Sequence, residues 1–237
     1  MTSSTTNDVP TASTRAQECF DRPAAVTRSL LGYGPLAGAV YLTSGLIQAQ
    51  TRDGFDLTRH DLSLLANGPL GWIQITTLVV AGLMTVAAAV GMRRALDDGL
   101  AGTWGPGLLA GYGLALVVAG VFVADPMAGF PLGTPDGPPS EPSLSGLLHM
   151  AAGGVGFACL VATTFVVARR FARERRAGWA WASRAVGLVV LGGFLGVATG
   201  WTSSWAVLGL WVGVVAGWAW IAAVAVLLYR RTPHPRS

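Results

Sequence analysis

Residues 145–176 read SGLLHMAAGGVGFACLVATTFVVARRFARERR, and this stretch decides the fold. Its first 24 residues contain no Asp, Glu, Lys or Arg, and five arginines follow within the next eight positions. An α-helix needs about 20 apolar residues to cross a hydrocarbon core of roughly 30 Å, and grouped arginines mark where such a helix leaves the bilayer. The stretch therefore predicts a transmembrane helix that ends in a basic cluster.

Five further apolar runs repeat this pattern along the chain. With 52% hydrophobic and only 12% charged residues, the 237-residue chain has too few charges to cover a soluble domain. The runs do not alternate as the strands of a membrane barrel would. The sequence predicts an all-α integral membrane protein, a six-transmembrane-helix bundle. We expect its helices at about Leu30–Gln50, Gly68–Met92, Trp104–Ala124, Ser145–Ala168, Ala185–Trp201 and Trp205–Tyr229.

The remaining segments are predicted to be tails. Residues 1–29 are rich in Thr and Ser and are expected to form a disordered cytoplasmic tail, and residues 231–237 a second one. The first apolar run is too long, lies too far from the start and lacks a following cleavage site, so we do not expect a secretory signal. The transmembrane domain is predicted to span residues 30–230.

The arginines indicate the orientation of the bundle. All 16 basic residues are arginines, and 14 of them lie in the two tails and in the second and fourth connections. Only Arg52 and Arg59 lie in the odd-numbered connections. Because short basic loops stay in the cytoplasm, we expect an N-in/C-in protein of a bacterial plasma membrane. We expect the run 169–176 to contact anionic lipid headgroups, and no nucleic acid, because no folded soluble domain accompanies it.

Glycines recur at four-residue spacing on four of the predicted helices. Small residues on one helix face allow two backbones to approach closely, which favours helix packing in a membrane. We expect these glycines to pack the chain against itself, with a homo-oligomer through the Gly-rich helices as the alternative. The glycines are Gly34/Gly38, Gly107/Gly111, Gly192/Gly196/Gly200 and Gly209/Gly213/Gly217.

Polar residues of the predicted helices collect toward their outer ends. The spans hold no mid-bilayer Asp, Glu, Lys or Arg, which argues against ion-coupled transporters and proton pumps. Gln48 lies four residues after Ser44, and Gln74 lies three residues before Thr77. Each of these side chains could make an ordinary interhelical hydrogen bond, but together they predict a shallow pocket that opens outward.

Two outer connections carry most of the remaining polar chemistry. The first contains three polar side chains at positions 60, 61 and 63, and the third runs from position 125 to 149 with six prolines. A connection of this length, if ordered, is typical of a lid or a binding element. The predicted ligand-binding residues are therefore Gln48, His60, Asp61, Ser63, Gln74, Asp125 and His149.

Asp125 and the two histidines allow two interpretations. Asp125 is expected at the C-terminal end of the third helix, where the helix dipole disfavours a carboxylate, so it should attract Arg52, Arg59 or His149. One interpretation is a structural network of salt bridges and caps. The other is that His60, Asp125 and His149 converge on Zn²⁺, whose bound water would give hydrolytic chemistry. The spacing matches no metal motif, so no cofactor is predicted and Zn²⁺ stays open.

Three stretches resemble a known family. They are HDLSLLANGPLGWIQ at 60–74, ADPMAGFPLGTP at 124–135 and SGLLH at 145–149. They are similar to the bacterial membrane family catalogued as domain of unknown function 998, and the resemblance covers about residues 30 to 230. It implies an integral membrane protein of unassigned biochemistry, and it supplies no reaction, cofactor or catalytic residue.

Three functional hypotheses follow. The first is a non-enzymatic membrane protein that binds or passes a small or lipidic ligand through an outward-facing polar pocket. The second is a metal-dependent membrane hydrolase or lipid-modifying enzyme that uses the same residues. The third is a structural or accessory subunit whose Gly-rich helical hairpin docks a partner. Enzymatic activity is the less expected outcome, because no residue pattern names a reaction.

Overall fold

The computed structural model describes residues 21–96, 99–199 and 203–234. Within these ranges it contains six helices that are long and apolar enough to cross a membrane, as predicted. A short 3₁₀ helix, Leu62–Ala66, lies in the first connection. The membrane-spanning helices are α1 Arg22–Thr51, α2 Gly71–Ala95, α3 Leu100–Val121, α4 Leu144–Arg173, α5 Ala177–Ala198 and α6 Ser204–Arg231.

Several helices are longer than the apolar runs that predicted them. Helix α1 begins at Arg22 and not at Leu30, because Asp21 caps its N-terminus by accepting a hydrogen bond from the backbone N–H of Ala24. Residues 22–29 are therefore helical and not part of a tail, and residues 1–20 of the predicted tail lie outside the described residues. Helix α5 likewise begins at Ala177, eight residues before the predicted start. These helices can continue past the hydrocarbon core because capping and interfacial side chains there form hydrogen bonds with the unpaired backbone groups at the helix ends.

The helices form a closed ring. Each one packs against its neighbours along the chain, and α6 packs back against α1. Since successive helices run antiparallel, residues 52–70 and 122–143 lie at one end of the ring, here called the loop end. The opposite end, here called the arginine end, carries the start of α1, the end of α6 and the α2–α3 and α4–α5 connections.

Ion pairs and hydrogen bonds tie the ring together at the arginine end. Glu174, at the C-cap of α4, pairs with Arg170 at 2.7 Å and with Arg231 of α6 at 3.2 Å. Arg28 of α1 donates a hydrogen bond to the carbonyl of Thr232 and lies over the ring of Tyr229. The first and last helices are thus joined directly by side chains.

Candidate functional site

The two long connections at the loop end interlock into one structure, here called the loop cap (residues 52–70 and 122–143). Arg52 donates hydrogen bonds to the carbonyls of Leu65 and Asn67, and its guanidinium lies over the ring of Phe130. Burial lowers the pKa of Arg52 from its ordinary value. Asn67 donates to the carbonyl of Ala124, which joins the first connection to the third. The third connection is therefore an ordered element of the fold.

His60 is a structural residue of the loop cap. Its side chain is 1% exposed, and its Nδ1 accepts a hydrogen bond from the backbone N–H of Asp56 at 2.9 Å. Its Nε2 therefore carries the proton and donates to the carbonyl of Ala128 at 3.0 Å. The Asp56 carboxylate accepts hydrogen bonds from Thr58, which hold the pKa of that carboxyl below its usual value. Both ring nitrogens of His60 are engaged, so neither is available to a ligand in this conformation.

Asp125 binds the N-cap residue of α4 and does not lie at the end of α3, where the sequence predicted it. Helix α3 ends at Val121, and the Asp125 carboxylate accepts hydrogen bonds from the backbone N–H and hydroxyl of Ser143, the N-cap residue of α4. The N-terminus of a helix favours a carboxylate, which removes the need for a cation. Arg59, one of the expected partners, pairs with Asp136 at 2.7 Å instead.

Gln48 and Gln74 form a hydrogen-bond network between α1 and α2. The Gln48 amide donates to Oε1 of Gln74 at 2.9 Å and to the Ser44 hydroxyl at 3.2 Å. The Ser44 and Thr77 hydroxyls lie 2.7 Å apart. Both glutamines are buried, and neither lines the internal cavity described next. The structure thus joins them between α1 and α2, while Oε1 of Gln48 and Nε2 of Gln74 are buried without a hydrogen-bond partner among the described residues.

An internal cavity of about 120 Å³ lies inside the ring next to the loop cap. Every helix contributes to its wall, and most of the lining is apolar. Trp218, which is 2% exposed, packs against two of the lining rings, those of Tyr41 and Tyr112, with centroids 5.3 and 5.8 Å away. The polar lining residues are Tyr41, Asp61, Ser63, Tyr112 and His149, together with the indole of Trp211.

Tyr41 and Tyr112 present their hydroxyl groups to the cavity. The residues are 8% and 5% exposed, and neither hydroxyl hydrogen-bonds to another described residue. Neither is fully enclosed by protein atoms, so both hydroxyls face the space that their residues line. A phenolic hydroxyl in an apolar site normally finds a partner. Two buried hydroxyls without one indicate a site for a polar group.

His149 contributes an acceptor to the same cavity. Its Nδ1 lies 2.9 Å from the carbonyl of Ala119 and 2.8 Å from that of Phe122. Since carbonyls accept only, Nδ1 carries a proton, and in a neutral imidazole this arrangement leaves a lone pair at Nε2. No described residue hydrogen-bonds to this Nε2. His149 is 6% exposed, so the C-terminal carbonyls of α3 fix the orientation of a buried, cavity-lining imidazole.

Asp61 supplies the charge of the cavity. Its Oδ1 accepts hydrogen bonds from the backbone N–H groups of Ser63 and Leu64 and from the Ser63 hydroxyl, which caps the 3₁₀ helix. Its Oδ2 has no hydrogen-bond or ion-pair partner among the described residues. One carboxylate oxygen of this half-buried, cavity-lining residue is thus fixed by the fold, while the other has no protein partner in the described part of the chain.

The cavity reaches the outer surface of the ring between α4 and α5. Met150 of α4, 54% exposed, and Ala198 of α5, also exposed, both line it. Toward the arginine end Gly187 brings α5 against Thr164 of α4, whereas a side chain at Gly153 would meet nothing within 4 Å. The rings of Phe157 and Phe194 stack across the two helices with centroids 5.0 Å apart, so the lateral opening toward the lipid lies on the loop-end side of this pair, beside Met150 and Ala198.

The predicted site residues divide into three groups. The structure brings Asp61, Ser63 and His149 together at the cavity, and it places the two glutamines between α1 and α2. His60 and Asp125 hold the loop cap. In the part of the chain that the structure describes, no three His, Cys, Asp or Glu side chains cluster as metal ligands. The zinc hypothesis stays a prediction that elemental analysis can test.

Sequence reasoning missed Tyr41 and Tyr112. Both lie in the middle of apolar runs, where a tyrosine is easily interpreted as ordinary core. A signal was present, since the hydroxyl of a mid-membrane tyrosine needs a partner and no polar residue lies three or four positions from Tyr112. Their convergence depends on the packing of α1 and α3 around the cavity.

Comparison with known proteins identifies a family. Neither the search of curated proteins nor the search of solved structures finds a match to this chain. A family profile described as "Protein of unknown function (DUF998)" matches residues 35–227, which include α2 to α5, most of α1 and α6 and the whole loop cap. The expected family is thereby confirmed: the chain is a polytopic membrane protein that belongs to the domain of unknown function 998 family.

Proposed function

We propose that this protein binds a small amphipathic ligand in the cavity beneath the loop cap, as a non-enzymatic protein of the plasma membrane. The observation that carries the proposal is the set of polar atoms without protein partners in the described ranges, on three buried residues, Tyr41, Tyr112 and His149, that line an otherwise apolar cavity. Ligand sites are concave and mostly apolar, with a few convergent polar groups that orient the ligand.

The shape of the cavity favours an amphiphile that enters from the bilayer. Its polar groups lie next to the loop cap, and its lateral opening between α4 and α5 is lined by Met150, Phe157 and Phe194. A polar head can occupy the first region while an apolar chain leaves through the second. With the arginine end in the cytoplasm, the head would lie near the outer leaflet.

A photoactivatable alcohol tests this proposal. The probe is a ten-carbon alcohol with a diazirine at the end of the chain, added to the protein in lipid nanodiscs. We expect crosslinks on α4 and α5 near the opening, detected by peptide mass spectrometry. Gly153→Leu should reduce this labelling at least about tenfold, because the new side chain extends into the cavity opening, where nothing lies within 4 Å.

Gly192→Leu is the matched control. Gly192 is an exposed glycine of α5 that also has nothing within 4 Å, but it does not line the cavity. The same substitution there should leave labelling unchanged. If both variants label equally, or if crosslinks spread evenly over the lipid-facing surface, the cavity is not a ligand site and the proposal fails.

A further inference from the structure

We infer that the ligand of this cavity is an amphipathic amine, bound as its ammonium ion by Asp61. This inference rests on the proposed function and specifies the chemical class of the ligand. It follows from the charge of the cavity, from the hydrogen-bonding roles of its polar atoms and from its aromatic lining.

The cavity carries one negative charge and no positive one among the described residues that line it. Asp61 is the acidic member, and its Oδ2 is open. The nearest arginines of the loop cap are directed elsewhere, since Arg52 donates to Leu65 and Asn67, and Arg59 pairs with Asp136. A carboxylate without a partner beside an apolar cavity is costly, and a cation of the ligand would offset that cost.

The other polar atoms accept hydrogen bonds from such a cation. In the neutral imidazole Nε2 of His149 is the acceptor, because the carbonyls of Ala119 and Phe122 hold the proton on Nδ1. The hydroxyl oxygens of Tyr41 and Tyr112 can accept as well. An ammonium group is a donor only, so it matches this set, whereas a carboxylate or phosphate head would meet Asp61 with the same charge.

Aromatic rings complete the recognition. The cavity is lined by the rings of Tyr41, Tyr112, Phe157, Phe194 and Trp211. Trp211 is held in place by a hydrogen bond from its Nε1 to the carbonyl of His60 at 3.3 Å. The faces of aromatic rings attract cations, most strongly where water is excluded. The lining therefore favours an organic cation with an apolar chain over a neutral or anionic amphiphile.

Three probes with one chain and different heads test the inference. They are the ten-carbon diazirine alcohol, the corresponding primary amine and the corresponding carboxylic acid, each added to nanodiscs of zwitterionic lipid at neutral pH. A charge-assisted hydrogen bond exceeds a neutral one, so we expect the amine to label the cavity about fivefold to tenfold more than the alcohol. The acid should label it least.

Asp61→Asn separates recognition of charge from occupancy of the cavity. The asparagine Oδ1 can still accept from the backbone of Ser63 and Leu64, so the 3₁₀ helix keeps its cap. In this variant the amine probe should no longer label the cavity more strongly than the alcohol probe does. Asp136→Asn is the matched control, since it removes one negative charge from the same end of the ring but outside the cavity, and it should keep the preference.

Each outcome decides one proposal. Equal labelling by amine and alcohol in the unmodified protein, or an unchanged preference in Asp61→Asn, overturns the inference. If the alcohol probe still labels the cavity, and Gly153→Leu removes that labelling, the proposed function holds although the inference about an amine fails. Absence of cavity labelling by all three probes overturns both. Should Asp61→Asn fail to fold, the ranking of the three heads in the unmodified protein still decides.

Discussion

At the residue scale, burial alone does not distinguish a ligand contact from a structural bond. Gln48 and His149 are both buried polar residues at the loop end, and the sequence marked both. The amide nitrogen of Gln48 donates hydrogen bonds to Gln74 and Ser44. In His149, by contrast, Nδ1 donates to a carbonyl of α3, and Nε2 is left for the cavity. The deciding property is the partner of each atom, which is a tertiary contact.

Gln48 and Gln74 should therefore matter for stability and not for binding. Gln48→Leu and Gln74→Leu each leave one amide without its interhelical partner, so we expect each to lower the free energy of unfolding by about 1 kcal/mol. The double variant should lose less free energy of unfolding than the two single variants lose together. A double-mutant cycle in detergent measures this coupling. All three variants should keep labelling by the alcohol probe. If these variants lost probe labelling but kept their free energy of unfolding, the two glutamines would be part of the binding site.

At the element scale, glycines set how closely the helices approach, as their spacing indicated. Gly34 and Gly38 lie against Ala225 and Trp218 of α6, and Gly213 lies against the backbone of α5. On α5 the closest contact with α6 is made by Gly193. Of the glycines in the four-residue pattern, Gly196 lies against Ala206, Gly192 meets nothing within 4 Å and Gly200 lies outside the described residues. Gly192 faces outward, because the rotation of α5 follows from its packing on both α4 and α6. The described glycine contacts lie within one chain, and the homo-oligomer stays a prediction.

Adjacent glycines of α5 provide a sharp comparison. A side chain at Gly193 would collide with the backbone of Gly209 on α6, whereas one at Gly192 meets nothing within 4 Å. We expect Gly193→Leu to lower the free energy of unfolding by about 1–3 kcal/mol through overpacking, and Gly192→Leu to leave it nearly unchanged. Thermal unfolding in mild detergent would measure both. Equal midpoints would show that the α5–α6 hairpin does not depend on this close approach.

At the scale of the whole molecule, ring closure creates the cavity, and the arginines predict its orientation in the membrane. The contact of α6 with α1 turns a row of helices into an enclosure, and the loop cap covers one end of it. Glu174 joins three arginines at the other end, at 2.7 to 3.8 Å. Contact of the run 169–176 with anionic headgroups stays a prediction.

Cysteine accessibility tests the orientation. In a protein whose own cysteines are replaced by serine, we expect a membrane-impermeant maleimide to label Ser140→Cys in intact cells. It should label Gly178→Cys only after permeabilisation, because arginine-rich connections are retained in the cytoplasm. Both positions are exposed, at the loop end and the arginine end respectively. The reverse pattern would place the loop cap in the cytoplasm.

The sequence by itself determined that this chain crosses a membrane, how many helices do so and where its basic residues gather. These properties are local, since each depends on about 20 consecutive residues and on the charges beside them. Helix ends were predicted less well where capping residues such as Asp21 and Ser143 extend a helix or change the role of Asp125.

Only the tertiary structure decided which polar residues share a site. Tyr41, Asp61, Tyr112 and His149 come from four separate segments, and they meet because glycine contacts fix the rotation of each helix in a closed ring. The same rotations direct the glutamines into the α1–α2 interface. A rotation about a helix axis changes no local sequence preference, so it becomes visible only when all the neighbours of a helix are in place.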